Sequence, residues 1–337
     1  MVDKIRWGIL STGKIANAFA QGLQYVEHAE LIAVGSRSAE SADAFGEKHH
    51  IPRRYATYEA LAADPDVDIV YIGTPHPFHK DNTLLCLNHG KSVLCEKVFA
   101  MNTAEAREMI ETARTKRLFL MEAMWTRYVP LFVKLRQMLA DRVLGEISFL
   151  QADFGFQAAF DPTSRIFAPE LGGSALLDVG IYPVSLASLI FQTPPDTMHN
   201  LVLKGQTGVD EQVSMQFGYA GGKAANLYCA TRYRSPVEAV IVGEKGHLRI
   251  HSRWHHSEAM TLSLNGEETQ FIAAPIDHNG YRYEAAEATQ CLLDGQLESP
   301  IMPLDETLAI MQTIDRIQAS WRVVGSDEDV TRIAVKS

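Results

Sequence analysis

Through the first 125 residues, short apolar runs alternate with stretches in which apolar positions recur every three or four residues. The apolar runs predict strands at Ile5 to Leu10, Leu31 to Ser36, Ile69 to Thr74, Ser92 to Cys95 and Phe119 to Glu122. The amphipathic stretches predict helices at Ile15 to Leu23, Ala39 to Lys48, His79 to Asn88 and Thr103 to Thr115. Strand and helix in steady succession build a parallel sheet covered by helices, so this half reads as a doubly wound α/β domain. From about Gly145 the period drops to two, in Glu146 to Phe154, Gln212 to Phe217, Ala224 to Cys229 and Ala239 to Val242, with turns such as Tyr219-Ala-Gly-Gly between the runs. That grammar predicts a largely antiparallel sheet with a face to pack, joined by helices at Ser174 to Phe191, Tyr283 to Leu293 and Asp305 to Val323. The expected division is residues 1–125, a doubly wound parallel sheet, and residues 126–337, an α+β domain with a large, mostly antiparallel open sheet.

Composition narrows the function classes. The chain has 337 residues, 46% hydrophobic and 21% charged, which suits two globular domains rather than one core or a disordered chain. A formal charge of -10 provides no basic footprint for a phosphate backbone, so a small ligand is expected and a nucleic acid is not. Cys86, Cys95, Cys229 and Cys291 are too few and too scattered for a disulfide framework, and a reducing, cytoplasmic setting is expected. The N-terminal stretch lacks a signal-peptide apolar core. The most apolar later stretch, Leu176 to Phe191, is interrupted by Asp178, Gly180 and Pro183, so no membrane span is expected.

The first strand runs into Ser11-Thr12-Gly13-Lys14-Ile15-Ala16 and then a helix, giving S-x-G-x-x-A where the dinucleotide fingerprint has G-x-G-x-x-G/A. Gly13 lets backbone approach a pyrophosphate, Ala16 permits close packing of helix on sheet, and the helix N-terminus attracts the anion. Such small-residue turns occur in many α/β proteins, and the second strand sharpens the signal. Its end, Val34-Gly-Ser36-Arg37-Ser38, lacks the carboxylate that meets a free ribose 2′-hydroxyl, and instead presents two hydroxyls and a guanidinium suited to a 2′-phosphate. The expected cofactor is NADP, with NAD the less favoured. The alternative is a solvated turn whose arginine meets only water.

Three more segments follow in order: Gly73-Thr74-Pro75-His76-Pro-Phe-His79, the strand end Glu96-Lys97, and Gly172-Gly-Ser-Ala-Leu-Leu-Asp178-Val-Gly-Ile-Tyr182. With these the chain resembles the glucose-fructose oxidoreductase / inositol dehydrogenase superfamily of NAD(P)-dependent enzymes, over nearly its whole length. Through His76-Pro-Phe-His79, Leu94-Cys-Glu-Lys97 and Phe119-Leu-Met-Glu-Ala-Met-Trp125-Thr-Arg127 it is most similar to the dimeric dihydrodiol dehydrogenase and NADP-dependent D-xylose dehydrogenase branch. The resemblance implies an N-terminal Rossmann domain, a C-terminal domain that binds substrate and dimerises, and catalysis by Lys97, Asp178 and Tyr182. It implies cofactor contacts from the Ser11 to Ile15 turn, Ser36 to Ser38, Thr74, Pro75, His76, His79, Glu96 and Lys97, with Arg165 approaching the cofactor and Trp125 and Arg127 forming a wall at the nicotinamide side. Two departures stand out. The superfamily usually follows its Glu-Lys with proline, where this chain has Val98, and many members carry histidine where this chain has Tyr182, whereas the dihydrodiol branch is similar to this chain in using tyrosine.

A nicotinamide enzyme acting on an alcohol must remove the hydroxyl proton as hydride leaves the same carbon. Lys97 at a strand end is expected to hydrogen-bond the cofactor ribose and the reacting oxygen, with Glu96 orienting the lysine or the ribose. Tyrosine titrates near 10 when unperturbed, and a nearby ammonium favours its phenolate, so Lys97 and Tyr182 read as a pair, with Asp178 one helical turn before the tyrosine. Each residue taken singly has a plainer reading, as a solvated strand-end lysine or a surface acid. His251, His255 and His256 around Trp254, and His49-His50, lack metal-ligand spacing and read as exposed loops; no metal is expected. Phe154, Phe156, Phe160 and Tyr233 are candidates for specificity toward a polyol, sugar or diol. A cofactor-binding sensor or scaffold without turnover is the competing class. Finally, Val213, Met215 and Phe217 should share one sheet face, as should Ala225, Leu227 and Cys229, leaving Asn226 and Tyr228 on the other, where a homodimer partner's sheet is expected.

Overall fold

The structure, a computed structural model, describes residues 4–323. Its described residues form two compact units, one from residues 4–133 and 276–311, the other from residues 134–275 and 312–323.

The first unit holds a parallel six-stranded sheet of β1 (Ile5–Leu10), β2 (Ala29–Gly35), β3 (Arg53–Tyr55), β4 (Ile69–Ile72), β5 (Ser92–Glu96) and β6 (Leu120–Ala123), in the order β3-β2-β1-β4-β5-β6. This is the doubly wound dinucleotide-binding order, with the change of winding direction beside β1. Strands β4, β5 and β6 are buried along their whole length, as expected of a sheet sandwiched between helices. The connecting helices are α1 (Lys14–Leu23), α2 (Ala39–Lys48), α3 (Tyr58–Ala62), α4 (His79–Asn88) and α5 (Thr103–Lys116). Ser38, Thr57 and Asn102 cap α2, α3 and α5 by accepting the backbone N–H three residues on. The three-residue β3 and five-residue α3 had no sequence signal because neither is long enough to repeat its pattern of apolar and polar positions. Helix α6 (Pro130–Ala140) also went unread, and it carries the chain across the boundary between the units.

The second unit holds β7 (Ile147–Gly155), β8 (Thr197–Lys204), β9 (Asp210–Tyr219), β10 (Lys223–Ala230), β11 (Ala239–Gly243), β12 (Gly246–Ile250), β13 (Ala259–Leu264), β14 (Gln270–Ala273) and β15 (Trp321–Val323). Their order is β14-β13-β12-β11-β7-β10-β9-β8-β15. The sheet is mostly antiparallel, with β7 beside β10 and β8 beside β15 running parallel. Its faces alternate as the sequence predicts: Val213, Met215, Phe217, Ala225, Leu227 and Cys229 are buried, whereas Gln216 and Asn226 are exposed and Ser214 and Tyr228 half-buried. The buried face is covered by α7 (Ile181–Phe191) and the turn before it, so the apolar stretch flagged in the sequence is a core helix of this unit.

Two expectations about the C-terminal region change. Residues 276–311, including α8 (Tyr281–Leu293), pack with the first unit rather than with the rest of 126–337. The cause is a close seat for α8 on α1: Asn279 Nδ2 donates to Ala18 O at 3.0 Å, and a Cβ on Gly22 would lie 2.9 Å from Arg282 N. The last predicted helix, Asp305 to Val323, is α9 (Leu304–Ser320) followed by β15, because Trp321–Val323 finds a partner in β8.

Candidate active site

In the first unit the C-terminal ends of the adjacent strands β1, β4 and β5 bring together the Ser11–Gly13 turn, Thr74–His76 and Glu96–Lys97. Ser11, which replaces the fingerprint's first glycine, has φ 115, a conformation that favours glycine. Its hydroxyl donates to Gly73 O at 3.0 Å and accepts from Gly13 N at 3.2 Å, so the side chain braces the turn that its backbone strains. Gly13 begins α1 without a side-chain cap, and a Cβ added there would meet only Ser11 Oγ, at 3.6 Å. The uncapped amides and the open space above them fit a dinucleotide pyrophosphate. Thr12 is half-buried, Lys14 exposed and Ile15 half-buried, with Ile15 Cγ2 3.3 Å from a Cβ built on Gly73.

At the end of β2, Ser36 is buried and Arg37 exposed, with no carboxylate on the turn. Ser38 accepts from Ser41 N as the cap of α2, which leaves Ser36 and Arg37 the freer pair for a ligand.

His79 lies deeper than a cofactor contact. It is fully buried, with Nδ1 2.8 Å from Val98 O and Nε2 2.8 Å from Thr74 O, and so ties the strand-end loops after β4 and β5 together. Burial pulls its pKa below the ordinary value against the pull of these carbonyls. Thr74 also accepts from Asn82 Nδ2 at 3.1 Å, Pro75 is exposed, and buried His76 meets His79 edge to face at 5.7 Å. The Lys97–Val98 peptide is cis with valine in the usual proline's place. Glu96 accepts the Tyr71 hydroxyl through Oε1 and the Lys97 N–H through Oε2 at 3.2 Å, while the Lys97 side chain is half-buried at the strand's mouth.

Trp125 stacks on Tyr281 of α8 at 4.7 Å and covers Gly280, where a Cβ would come within 2.3 Å of the indole. Arg127 is 1% exposed and forms an ion pair with Glu306 at 2.7 Å. Its guanidinium therefore serves the interior of the unit, a use invisible to sequence because Glu306 is 179 positions away.

In the second unit Asp178 sits in a wide π-type turn, Leu176–Gly180, and Tyr182 in the first turn of α7; both are buried. The turn replaces the regular helix start that the sequence predicts. Gly180 lies against β10, where a Cβ would come 2.8 Å from Cys229 Sγ. Asp210, unnoticed in the sequence, accepts Leu176 N–H at 2.7 Å and anchors the turn from β9. Burial pushes its carboxyl up to about 6. Arg165 donates to Asp178 Oδ1 at 3.0 Å, which makes it a partner of the aspartate.

Tyr182 lies 5.3 Å from the Phe154 ring and 5.4 Å from the His255 ring, and Phe154 and His255 stack at 4.2 Å. His255 is thus buried rather than exposed. It is held in place because the neighbouring Trp254 is anchored through Nε1 to Asp153 O at 2.8 Å. His251 bonds Thr261 Oγ1 and His256 is half-buried, and His49 meets Asn17 Oδ1 while His50 is exposed. Among the described residues no group of three or more His, Cys, Asp or Glu side chains is arranged to hold a metal. Phe160 packs on Phe167 under the Arg232 guanidinium, Phe156 is half-buried and Tyr233 is 54% exposed.

Comparison with known proteins follows the same two-part division. Residues 5–124 match the model of an oxidoreductase family with an NAD-binding Rossmann fold, and residues 132–249 match the GFO/IDH/MocA C-terminal domain. The chain is 39% identical over 322 residues to trans-1,2-dihydrobenzene-1,2-diol dehydrogenase of Xenopus laevis, covering 92% of this chain and 96% of that one. It is 37% identical over 325 residues to the Homo sapiens enzyme of the same name, covering 93% and 96%. Among solved structures it is similar to aldose-aldose oxidoreductase from Caulobacter crescentus complexed with glycerol, with a TM-score of 0.86, 26% identity and coverage of 94% and 97%. A 3-ketoreductase from Actinomadura kijaniata, in complex with NADP and TDP-benzene, shares the fold at a TM-score of 0.85 and 23% identity over 95% of this chain and 99% of that one.

Proposed function

The chain belongs to the GFO/IDH/MocA family of NAD-binding Rossmann-fold oxidoreductases, and from that premise we propose that it is an NADP-dependent dehydrogenase that transfers a hydride between nicotinamide and a secondary alcohol or hemiacetal carbon of a sugar or cyclic trans-diol. The observation that carries the reading is the shared edge of β1, β4 and β5, where an uncapped helix start and a lysine at the end of a buried strand face the same end of one sheet.

The nicotinamide, when bound, supplies the hydride acceptor. The protein's own residues do the rest. The N–H groups at Gly13 and the start of α1 bind the pyrophosphate. Ser36 and Arg37 select the 2′-phosphate. Lys97 hydrogen-bonds the reacting oxygen and stabilises the charge that develops as the hydroxyl proton leaves. Tyr182 accepts that proton as the general base, and Asp178, with Arg165 against it, holds polarity beside the tyrosine on the same segment. The aromatic wall of Phe154 and His255 next to Tyr182 favours a flat or ring-shaped substrate.

The cofactor preference is tested by titration. Arg37→Ala is expected to weaken NADP(H) binding by roughly 1.5 to 3 kcal/mol, the range for a charge-assisted contact, and to leave NAD(H) nearly unchanged. Equal losses for both would contradict it. The reaction is tested by NADP+ reduction with a panel of trans-dihydrodiols and aldoses; tight cofactor binding without turnover on any of them would favour the sensor reading instead.

The proposal extends to a homodimer packed sheet to sheet. In the second unit the open face over β7, β10, β9, β8 and β15 forms a hollow of about 730 Å³ lined by His199, Leu201, Gln216, Asn226 and Tyr228 among others, and Leu201 is 51% exposed. A polar face with aliphatic and aromatic members suits a partner surface. It extends also to the cytoplasm, since four buried free thiols suit a reducing compartment.

A further inference from the structure

The strand end that carries Lys97 is backed by a cluster of buried acids and phenols inside the first unit. Glu96, 6% exposed, accepts hydrogen bonds from the Tyr71 hydroxyl and from the Lys97 N–H. An ionised carboxylate accepts both without conflict. Tyr71 is fully buried and its ring is stacked on Phe19 at 3.7 Å and 5°, so its hydroxyl is held on Glu96. Behind them stands Glu284 on α8. It is 0% exposed, and neither carboxylate oxygen has a hydrogen-bond donor.

A carboxylate in that place would be a buried charge with no donor and a second carboxylate nearby, the arrangement that forces one of two acids to keep its proton. Burial first, then the charge of Glu96, pushes Glu284 well above the usual carboxylate range. The charged groups on the elements packed against α8 are engaged or turned outward. Arg6 of β1 pairs with Asp66 and Asp68, Arg127 pairs with Glu306, Arg282 pairs with Asp277, and Lys14 of α1 is exposed. Tyr71 and Tyr128 also feel Glu284, and burial pushes both phenols well above their ordinary value, so both are neutral near neutral pH, while Glu287 of the same helix accepts the Ser299 hydroxyl at 2.6 Å. Glu96 has the donors and Glu284 has none, so the proton belongs on Glu284.

We propose that Glu284 is a positioning residue for the Glu96–Lys97 strand end, an uncharged carboxylic acid that leaves Glu96 the single carboxylate behind the lysine and so holds the Tyr71 hydroxyl and the Lys97 peptide in place. This deepens the reading of Lys97 given above and rests on it. Only a proton moves: at alkaline pH Glu284 releases it to solvent, a second negative charge appears against Glu96, and the strand end loosens.

Unfolded, the carboxyl titrates near 4.3; folded, it keeps its proton to a higher pH, so between the two the native state binds one proton more and stability falls as pH rises. The wild-type folding constant should drop about tenfold per pH unit relative to that of E284Q across this window.

The test compares wild type, E284Q and E284A. The infrared carbonyl band of a protonated carboxylic acid at neutral pH is expected in wild type and reduced in E284Q, and urea unfolding should give the pH slope just stated. E284A is expected to raise the KM for cofactor about tenfold and E284Q to return it to within about threefold, with the alkaline fall in kcat/KM displaced to higher pH in E284Q. An unchanged infrared band, parallel stability slopes, or superimposable alkaline limbs would each overturn the proposal. Should E284Q fail to fold, the band is followed in E122Q, where Glu122 cannot contribute to it; its persistence there supports the proposal and its absence refutes it. The infrared and unfolding readouts need no substrate, so a protein without turnover would remove the dehydrogenase reading while leaving the protonation of Glu284 to be decided by them.

Discussion

At the residue scale the site is set by where charge can be kept. Glu96 stays useful because two donors reach it, whereas Glu122, equally buried on β6, has the Thr307 hydroxyl at 3.0 Å on one oxygen and is pushed up to about 7 by burial. Unfolded, the same group titrates near 4.3, so the folded state holds a proton that the unfolded state has lost. Stability is fully present below the unfolded value and declines as pH rises toward 7, by roughly 4 kcal/mol in all. Glu122→Gln should therefore gain stability relative to wild type as pH is raised from about 5 to 8, read as the difference in urea midpoints. A constant difference would mean that Glu122 is ionised throughout. Sequence marks a residue such as Lys97 because a lysine ending an apolar strand is out of place. It does not mark Glu284, although Glu284, Ala288 and Cys291 stand at the spacing of one buried helix face. An acid on an apolar stripe was the available signal. The distant partners of Arg127 and Asp178 left none.

At the element scale, the strands and longer helices of the first unit were legible because each completes at least one period of its pattern. The three-residue β3 and the five-residue α3 were not. The wide turn Leu176–Gly180 was also hidden, since an apolar run rich in leucine and valine reads as regular helix whatever its winding. Its shape comes from outside the segment, from the Asp210 carboxylate on Leu176 N–H and the approach of Gly180 to Cys229. Asp210 thus acts as a helix cap borrowed from a neighbouring strand. Asp210→Ala should cost about 1 to 2 kcal/mol, as loss of a good cap does, and should lower kcat by shifting Asp178 and Tyr182. Asp210→Asn, whose amide oxygen can still accept from Leu176 N–H, should retain most of both. If Asp210→Ala destabilises the protein yet leaves kcat untouched, the turn does not position the tyrosine.

At the scale of the whole molecule, the sequence conveyed the order of two sheets but not the return of residues 276–311 to the first unit, because a chain that crosses back late does so through packing, here α8 on α1, and not through any local pattern. The alternation along β9 and β10 was fully legible, and it leads to the assembly prediction. Light scattering at micromolar concentration should report about twice the chain mass of 37.4 kDa, and charge placed on the open face, as Leu201→Glu, should shift the protein toward monomer. A monomer in wild type would leave the open sheet face to solvent.

The central claim is that Lys97 and Tyr182 move the hydroxyl proton in an NADP-dependent oxidation. The most direct measurement follows turnover and cofactor binding together in wild type, Lys97→Met and Tyr182→Phe, with the best substrate from the diol and aldose panel. Lys97→Met should abolish turnover while NADP(H) still binds, and Tyr182→Phe should lower kcat by about 10²- to 10⁴-fold, the range of general acid–base groups. A Lys97→Met protein that turns over at the wild-type rate with its cofactor bound would contradict the account.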